Sequence, residues 1–251
     1  MRVLRARLPQ RGDAPRRRGR GVRRGASRPP RLEPSRSGST ARRSLADGRR
    51  DHPRRSDRTV RRTTIGVIGN ASRPGVELPA ALLETATEVG RHVAEAGAVL
   101  ITGGTGGVME AASKGAQEAG GLSIGFLPQA DLSHANPYLD VALPTGMGTM
   151  RNLLTARCCD ALVMVGGGVG TLNELTIAYD VGTPVVAIRG SGGWSDRIVR
   201  ALVDGRWLDE RRVAELELAD DPRSAVARAL EATTRPRRTG GLTAHAGHAG
   251  A

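Results

Sequence analysis

From Thr63 onward, short apolar runs alternate with segments of helical period, and this alternation constrains the chain more than any single motif. TTIGVIGN (63–70), AVLITGG (98–104), LSIGFLP (122–128), LDVALPTG (139–146), ALVMVGGG (161–168), PVVAIRG (184–190) and a stretch near 213–219 read as strands. Between them, 78–96, 107–120, 147–159, 171–181, 195–204 and 222–233 read as helices. In the first of these, Leu82, Leu83, Ala86, Val89, Val93 and Ala94 recur at helical spacing. Strands separated by helices of about 10–15 residues make βαβ units, which require a parallel sheet covered on both faces. Near-continuous Val, Ile and Leu runs fit strands buried on both sides. The expected fold is α/β: one Rossmann-like, doubly wound domain over 63–234, with helices on both faces of a parallel sheet. Such sheets bind ligands beyond the carboxyl ends of their strands, where the strand order reverses.

Charge divides the chain at the same boundary. Residues 1–62 hold 22 Arg and 5 acids, a net of +17, whereas residues 63–234 hold 13 basic and 20 acidic residues, a net of −7. Residues 235–251 hold 3 Arg and no acid. The overall charge of +13 and the pI near 11.4 therefore belong to the two ends. A middle of net −7 argues against a nucleic-acid binder, whose basic residues sit on the folded surface. The first 62 residues are rich in Arg, Pro, Gly and Ser and lack the apolar content that would offset the entropy of ordering. Disorder is the expectation there and in 235–251. Three readings of 1–62 compete: an arm that binds polyanions, nucleic acid weakly among them; an Arg- and Ser-rich transit peptide; or an artefact of an upstream start codon, which one Lys against 37 Arg suggests. The artefact or an inert tail is favoured, and the RGD at Arg11–Asp13 is read as chance.

No apolar run reaches spanning length, so membrane insertion is not expected. Cys158 and Cys159 are adjacent and alone, poorly placed for a relaxed disulfide or a shared metal, and the expected setting is a reducing cytoplasm. His245 and His248 are too few to argue for a metal, and no metal site is expected.

Four loops follow strands and are rich in Gly, Ser or Thr: GNASRPG (69–75), GGTGG (103–107), PTGMGTMRN (144–152) and GGGVGT (166–171). A glycine-rich turn entering a helix aims unpaired N–H groups at one point, and the helix dipole adds partial positive charge there. Lys114 is the only lysine, so an anion would be held mainly by backbone amides and hydroxyls. The candidate anion-binding residues are Gly69, Ser72, Gly103, Gly104, Thr105, Gly106, Gly107, Gly167, Gly168, Gly170 and Thr171. Neither glycine cluster is a dinucleotide fingerprint, since Met109 stands where the last glycine belongs, and neither continues into the Gly-Lys-Ser/Thr of a P-loop. Thr171-Leu-Asn-Glu174 has the form of a capping box, in which Thr171 bonds the N–H of residue 174 and Glu174 reaches back. That reading leaves the four preceding glycines unexplained, and Arg151, placed in the first turn of the preceding helix, falls at the same sheet edge. An arginine there would bind phosphate bidentately, and a carboxylate would support an oxocarbenium-like sugar cation.

GGTGGVMEAASKGA (103–116) followed by GGGVGTLNE (166–174) resembles the LONELY GUY (LOG) superfamily, often labelled lysine decarboxylases, which includes cytokinin riboside monophosphate phosphoribohydrolases. Gly167, Gly168, Gly170, Thr171 and Glu174 match its PGGxGTxxE hallmark, and Arg151 falls on the arginine of its Met-His-x-Arg-Lys motif. The resemblance implies that Arg151 and Glu174 are a catalytic pair and that the Gly/Thr loops hold a nucleotide phosphate. It also implies a homodimer. The chain departs from the hallmark at Gly166 for proline, Asn152 for lysine, Thr149 for histidine and Glu110 for glycine. These departures look more like the branch of molybdenum cofactor carrier-like proteins, related to the DNA-processing protein DprA.

Two functions follow. The first is hydrolysis of the N-glycosidic bond of a nucleoside 5′-monophosphate, which needs no cofactor. The second is non-catalytic carriage or sensing of a phosphorylated ligand, the pterin-based molybdenum cofactor among the possibilities. Lysine decarboxylation has no support, because Lys114, mid-helix and expected at the surface, is the only lysine available for a pyridoxal Schiff base.

Overall fold

In a computed structural model that describes residues 61–236, the apolar runs become strands β1 (Thr64–Gly69), β2 (Val99–Thr102), β3 (Leu122–Leu127), β4 (Val141–Pro144), β5 (Ala161–Val165), β6 (Val185–Ile188) and β7 (Leu216–Ala219). The expectations for the two ends lie outside the described residues, apart from the flanking Arg61, Arg62, Arg235 and Pro236. Arg61 pairs with Asp160, Arg62 donates to the Gly97 carbonyl, and Arg235 pairs with Glu217 and Glu231.

The described strands form one sheet in the order β4-β3-β2-β1-β5-β6-β7, and every pairing is parallel. The chain winds outward from β1 to β4, then returns to lay β5 against the other side of β1. The order thus reverses between β1 and β5, and the loops leaving their carboxyl ends diverge to leave a crevice. All five residues of β5 and the middle four of β1 are buried, as expected for the centre of a two-faced sheet.

Helices α1 (Ala80–Glu95), α2 (Val108–Glu118) and α6 (Pro222–Ala232) cover one face. Helices α3 (Asn152–Cys158), α4 (Val169–Asp180) and α5 (Gly193–Arg197) cover the other. Helix α1 buries Leu82, Ala86, Val89 and Val93, the stripe anticipated from their spacing. It touches α2 backbone to backbone, because a side chain at Gly90 would meet the Ala112 carbonyl at 1.9 Å and one at Gly115 would meet the Thr87 carbonyl at 1.9 Å.

Three elements differ from expectation. The helix anticipated over 147–159 is a 3-10 turn, Gly148–Arg151, followed by α3. Gly148 sits at φ +55° and donates to the Pro128 carbonyl, and this tie to the end of β3 prevents a continuous α-helix. The helix anticipated over 195–204 is α5 plus a 3-10 turn, Ile198–Ala201. Helix α4 begins at Val169, two residues earlier than anticipated, with Gly168 as its N-cap. No helix among the described residues is long and apolar enough to cross a membrane, and none of their His, Cys, Asp and Glu side chains gather in threes to hold a metal.

Candidate functional site

The crevice at the strand reversal is a hollow of about 240 Å³, lined by Gly69 and Asn70 at the end of β1, by Arg151 and Asn152, and by Gly168, Gly170, Thr171 and Glu174 of α4. Because α4 starts at Val169, the N–H groups of Val169, Gly170 and Thr171 have no intrahelical acceptors and point past the helix end. The positive end of the α4 dipole lies at the same place.

The early start of α4 also overturns the capping box. Thr171 lies inside the helix, and its hydroxyl donates to the Gly69 carbonyl at 3.0 Å, tying α4 to β1. Glu174 reaches no backbone N–H; its Oε1 accepts from Arg151 Nη1 at 3.2 Å. Both residues are more than nine-tenths buried, at 8% and 6% exposed. Arg151 also donates to Thr155 Oγ1 at 3.3 Å, its Nη2 lies 3.9 Å from Met109 Sδ, and its Nε is buried without a partner. Burial drives the Glu174 carboxyl up to about 7, against the opposing pull of Arg151. Burial likewise draws the Arg151 guanidinium below its ordinary value, again opposed by its partner. The pair is therefore costly in this dry setting, and a carboxyl that titrates near neutrality can hold or release a proton under ordinary conditions.

The remaining anticipated residues fall into three groups. Gly168, Gly170, Thr171 and Gly69 line the hollow. Ser72 and Gly107 line a neighbouring cavity of about 500 Å³ between the N-terminal halves of α1 and α2. Gly103, Gly104, Thr105, Gly106 and Gly167 line neither cavity, and their local contacts are with neighbouring protein groups. A side chain at Gly103 would sit 2.3 Å from the Arg151 guanidinium, so this glycine makes room for it. The Gly104 N–H is bonded to Thr102 Oγ1, and the Gly104 and Thr105 carbonyls accept from Asn136. The Gly106 carbonyl accepts from the Ser72 N–H. The Gly167 N–H is bonded to Asn70 Oδ1, and its carbonyl accepts from Trp194. Lys114 is exposed and pairs with Glu118 at 3.8 Å.

Residues that the motifs did not single out complete the site. Asn70 joins both glycine loops, its side chain accepting from Gly167 and its carbonyl accepting from Val108 at 2.9 Å. Arg73 lines the hollow, with its guanidinium facing Gly168. It is held by the turn Arg73-Pro74-Gly75-Val76, closed by a 3.1 Å bond from the Val76 N–H and by φ +73° at Gly75. Pro then Gly at the two central positions is the signature of a type II turn. Asn152, at the lysine position of the LOG motif, binds Asn173 Oδ1 at 2.9 Å and so joins α3 to α4. The signal for Asn70 and Arg73 is present in GNASRPG, the loop that follows the first strand, beside the Gly and Ser that composition singles out.

A parallel sheet whose strand reversal opens a polar, glycine-edged hollow defines a Rossmann-like α/β protein with a candidate ligand site at the usual place for that fold. More narrowly, the chain belongs to the SLOG cluster4 family, whose model matches residues 62–224. It is 43% identical over 126 residues to an uncharacterized protein of Archaeoglobus fulgidus, an alignment covering 50% of this chain and 79% of that one. It is 28% identical over 158 residues to a cytokinin riboside 5′-monophosphate phosphoribohydrolase of Mycobacterium tuberculosis, covering 59% and 84% of the two chains. The molybdenum cofactor carrier protein of Chlamydomonas reinhardtii superposes with a TM-score of 0.58 at 31% identity, covering 69% of this chain and 100% of that one.

Proposed function

We propose that this protein binds a nucleoside 5′-monophosphate and hydrolyses its N-glycosidic bond to free base and ribose 5-phosphate. The observation that carries the reading is the buried 3.2 Å pair of Arg151 and Glu174, beside the open N-terminus of α4. The phosphate is bound by the N–H groups of Val169, Gly170 and Thr171, with Arg73 as a cation at the rim. The Arg151 guanidinium positions the sugar and holds Glu174 in place. As the C1′–N bond breaks, its electron pair leaves with the base, and the Glu174 carboxylate supports the cation that develops on the sugar. A water oxygen then bonds to C1′. The proton the water loses passes to Glu174 and from there to the departing base nitrogen, so that free base and ribose 5-phosphate leave and the Glu174 carboxylate is restored.

The test is chromatographic. The full chain is incubated with a panel of nucleoside monophosphates and free base is measured. Glu174→Ala is expected to bind the phosphate ligand with affinity close to that of the parent while base release falls by about a hundredfold or more. Release by Glu174→Ala at the parental rate overturns the catalytic role. The second reading, carriage of a pterin cofactor without chemistry, draws on the full-length likeness to the Chlamydomonas carrier and on Asn152 at the lysine position. It is selected by tight pterin binding with no base released from any nucleotide. The homodimer implied by the resemblance is a further part of the proposal, and light scattering of the purified chain measures it.

A further inference from the structure

The 500 Å³ cavity between α1 and α2 adjoins the Arg151–Glu174 hollow, since Val76 and Leu78 wall both. Its size and its mixture of aliphatic walls with polar side chains suit a planar ring with polar edges. The aliphatic surface comes from Val76, Leu78 and Leu83, with the Tyr138 side chain at one side. The cavity also holds Glu110, half-buried in the first turn of α2. Among the described residues this carboxylate forms no hydrogen bond or ion pair, and Lys114, one turn away, pairs with Glu118 instead. Gly106 keeps the approach to it open, because a side chain there would lie 3.3 Å from Glu110 Oε2 and 2.7 Å from Ser72 Oγ. Arg73 and Arg151, by contrast, line only the smaller hollow. Glu77, Glu110 and Lys114 line the larger cavity and Arg73, Arg151 and Glu174 the smaller, so acids outnumber cations in the first and cations outnumber acids in the second, which matches the two chambers to the ring and the phosphate of one ligand.

A carboxylate accepts from two adjacent N–H donors, and the ring must present them side by side. The 2-amino-4-oxopyrimidine edge does so, with a ring N–H next to an exocyclic amine. Guanine carries that edge, and a pterin carries the same one. Adenine places its amine beside a ring acceptor, which repels a carboxylate. Resting on the nucleotide-binding reading above, we infer that Glu110 is a specificity residue that selects a ring with the 2-amino-4-oxopyrimidine edge in the α1–α2 cavity.

GMP and IMP differ only in the 2-amino group, so their affinities for the full chain, measured by calorimetry, read this contact directly. GMP is expected to bind about tenfold more tightly than IMP or better. In Glu110→Gln that ratio collapses towards unity while IMP affinity stays within about twofold. A first-turn acid also complements the α2 dipole, so the binding ratio rather than stability is the readout. Neopterin, which has the edge but no phosphate, separates the sources. If it binds more tightly than GMP and is lost in Glu110→Gln, the subsite serves a pterin; weaker binding than GMP with the same loss marks a guanine nucleotide. Equal GMP and IMP affinities, or a ratio preserved in Glu110→Gln, overturns the role of Glu110. Failure of the parent chain to bind any of these compounds, ribose 5-phosphate included, overturns the nucleotide-binding reading instead.

Discussion

Two carboxylates bracket β5, one at each edge of the sheet, and they have opposite surroundings. Asp160 immediately precedes the strand. It accepts from the Thr64 N–H at 2.9 Å and the Thr64 hydroxyl at 3.1 Å, and it pairs with Arg61. Burial alone would raise its pKa, but the Thr64 hydrogen bonds and the Arg61 charge outweigh it and hold the carboxyl below its ordinary value. Glu174 follows the strand, on α4, with Arg151 as its hydrogen-bond partner, and there burial wins. Several donors make Asp160 a stable anion that pins β1 to the start of β5. A single donor and a dry setting leave Glu174 poised near pH 7. The difference separates a carboxylate that holds the sheet together from one suited to chemistry.

The largest effect that tests this contrast is on rate. The free protein must ionise Glu174, so kcat/KM for base release is expected to rise as pH passes through about 7 and to level off above it. Glu174→Gln removes that limb and lowers kcat by about a hundredfold or more at pH 8. Stability runs the other way. The folded pKa of Glu174 lies above its ordinary value of 4.5, so the native state retains a proton that the unfolded chain has lost. The parent is expected to lose stability between pH 4.5 and about 7, and urea unfolding of Glu174→Gln should lack that slope whatever its absolute level. An identical slope in both proteins would erase the distinction between the two carboxylates.

Next in size is Gly103→Ala. The new methyl group would lie 2.3 Å from the Arg151 guanidinium and must push it away from Glu174. A displacement of about 1 Å in a positioning group costs on the order of a hundredfold in kcat/KM. Gly97→Ala is the control: nothing lies within 4 Å of its added carbon, so the substitution strains the backbone at φ +71° but leaves the site intact.

Much of this fold is legible in the sequence. Fully buried β5 announced itself as ALVMV, and the alternation of runs implied a parallel sheet, because burial on two faces removes the polar alternation a half-exposed strand would show. The reversal between β1 and β5 was not legible, since strand order depends on which faces the crossover helices cover. In the site, motif spacing points to Arg151 and Glu174, and Thr171, a candidate anion ligand that lines the hollow, is also open to a capping-box reading. Its pattern satisfies a local capping box equally well, and only the tertiary bond to Gly69 decides between them. Gly103 is visible in the glycine cluster, but the space it leaves for a side chain 48 positions away is something no local pattern encodes. Asp160 escaped notice altogether, because an acid before a strand carries no signal until Thr64 is known to lie beside it.

The smallest effect sharpens the other arm of the comparison. Asp160→Asn keeps the shape of the side chain but removes the charge and turns one acceptor into a donor facing Thr64 or Arg61. The expected loss is about 2 kcal/mol at pH 7, within the range for hydrogen bonds to a charged group. Because the folded pKa of Asp160 is depressed, its contribution is fully present above the unfolded value near 4 and fades as pH falls through the lower, folded value. The gap between parent and Asp160→Asn, followed by thermal unfolding, should therefore be constant from pH 8 to about 5 and close only in acid. Base release should be unaffected, since Asp160 lies at the edge of the sheet opposite the hollow. A variant that unfolds like the parent but loses activity would place Asp160 in the chemistry and Glu174 in the scaffold, the reverse of the assignment their hydrogen bonds support.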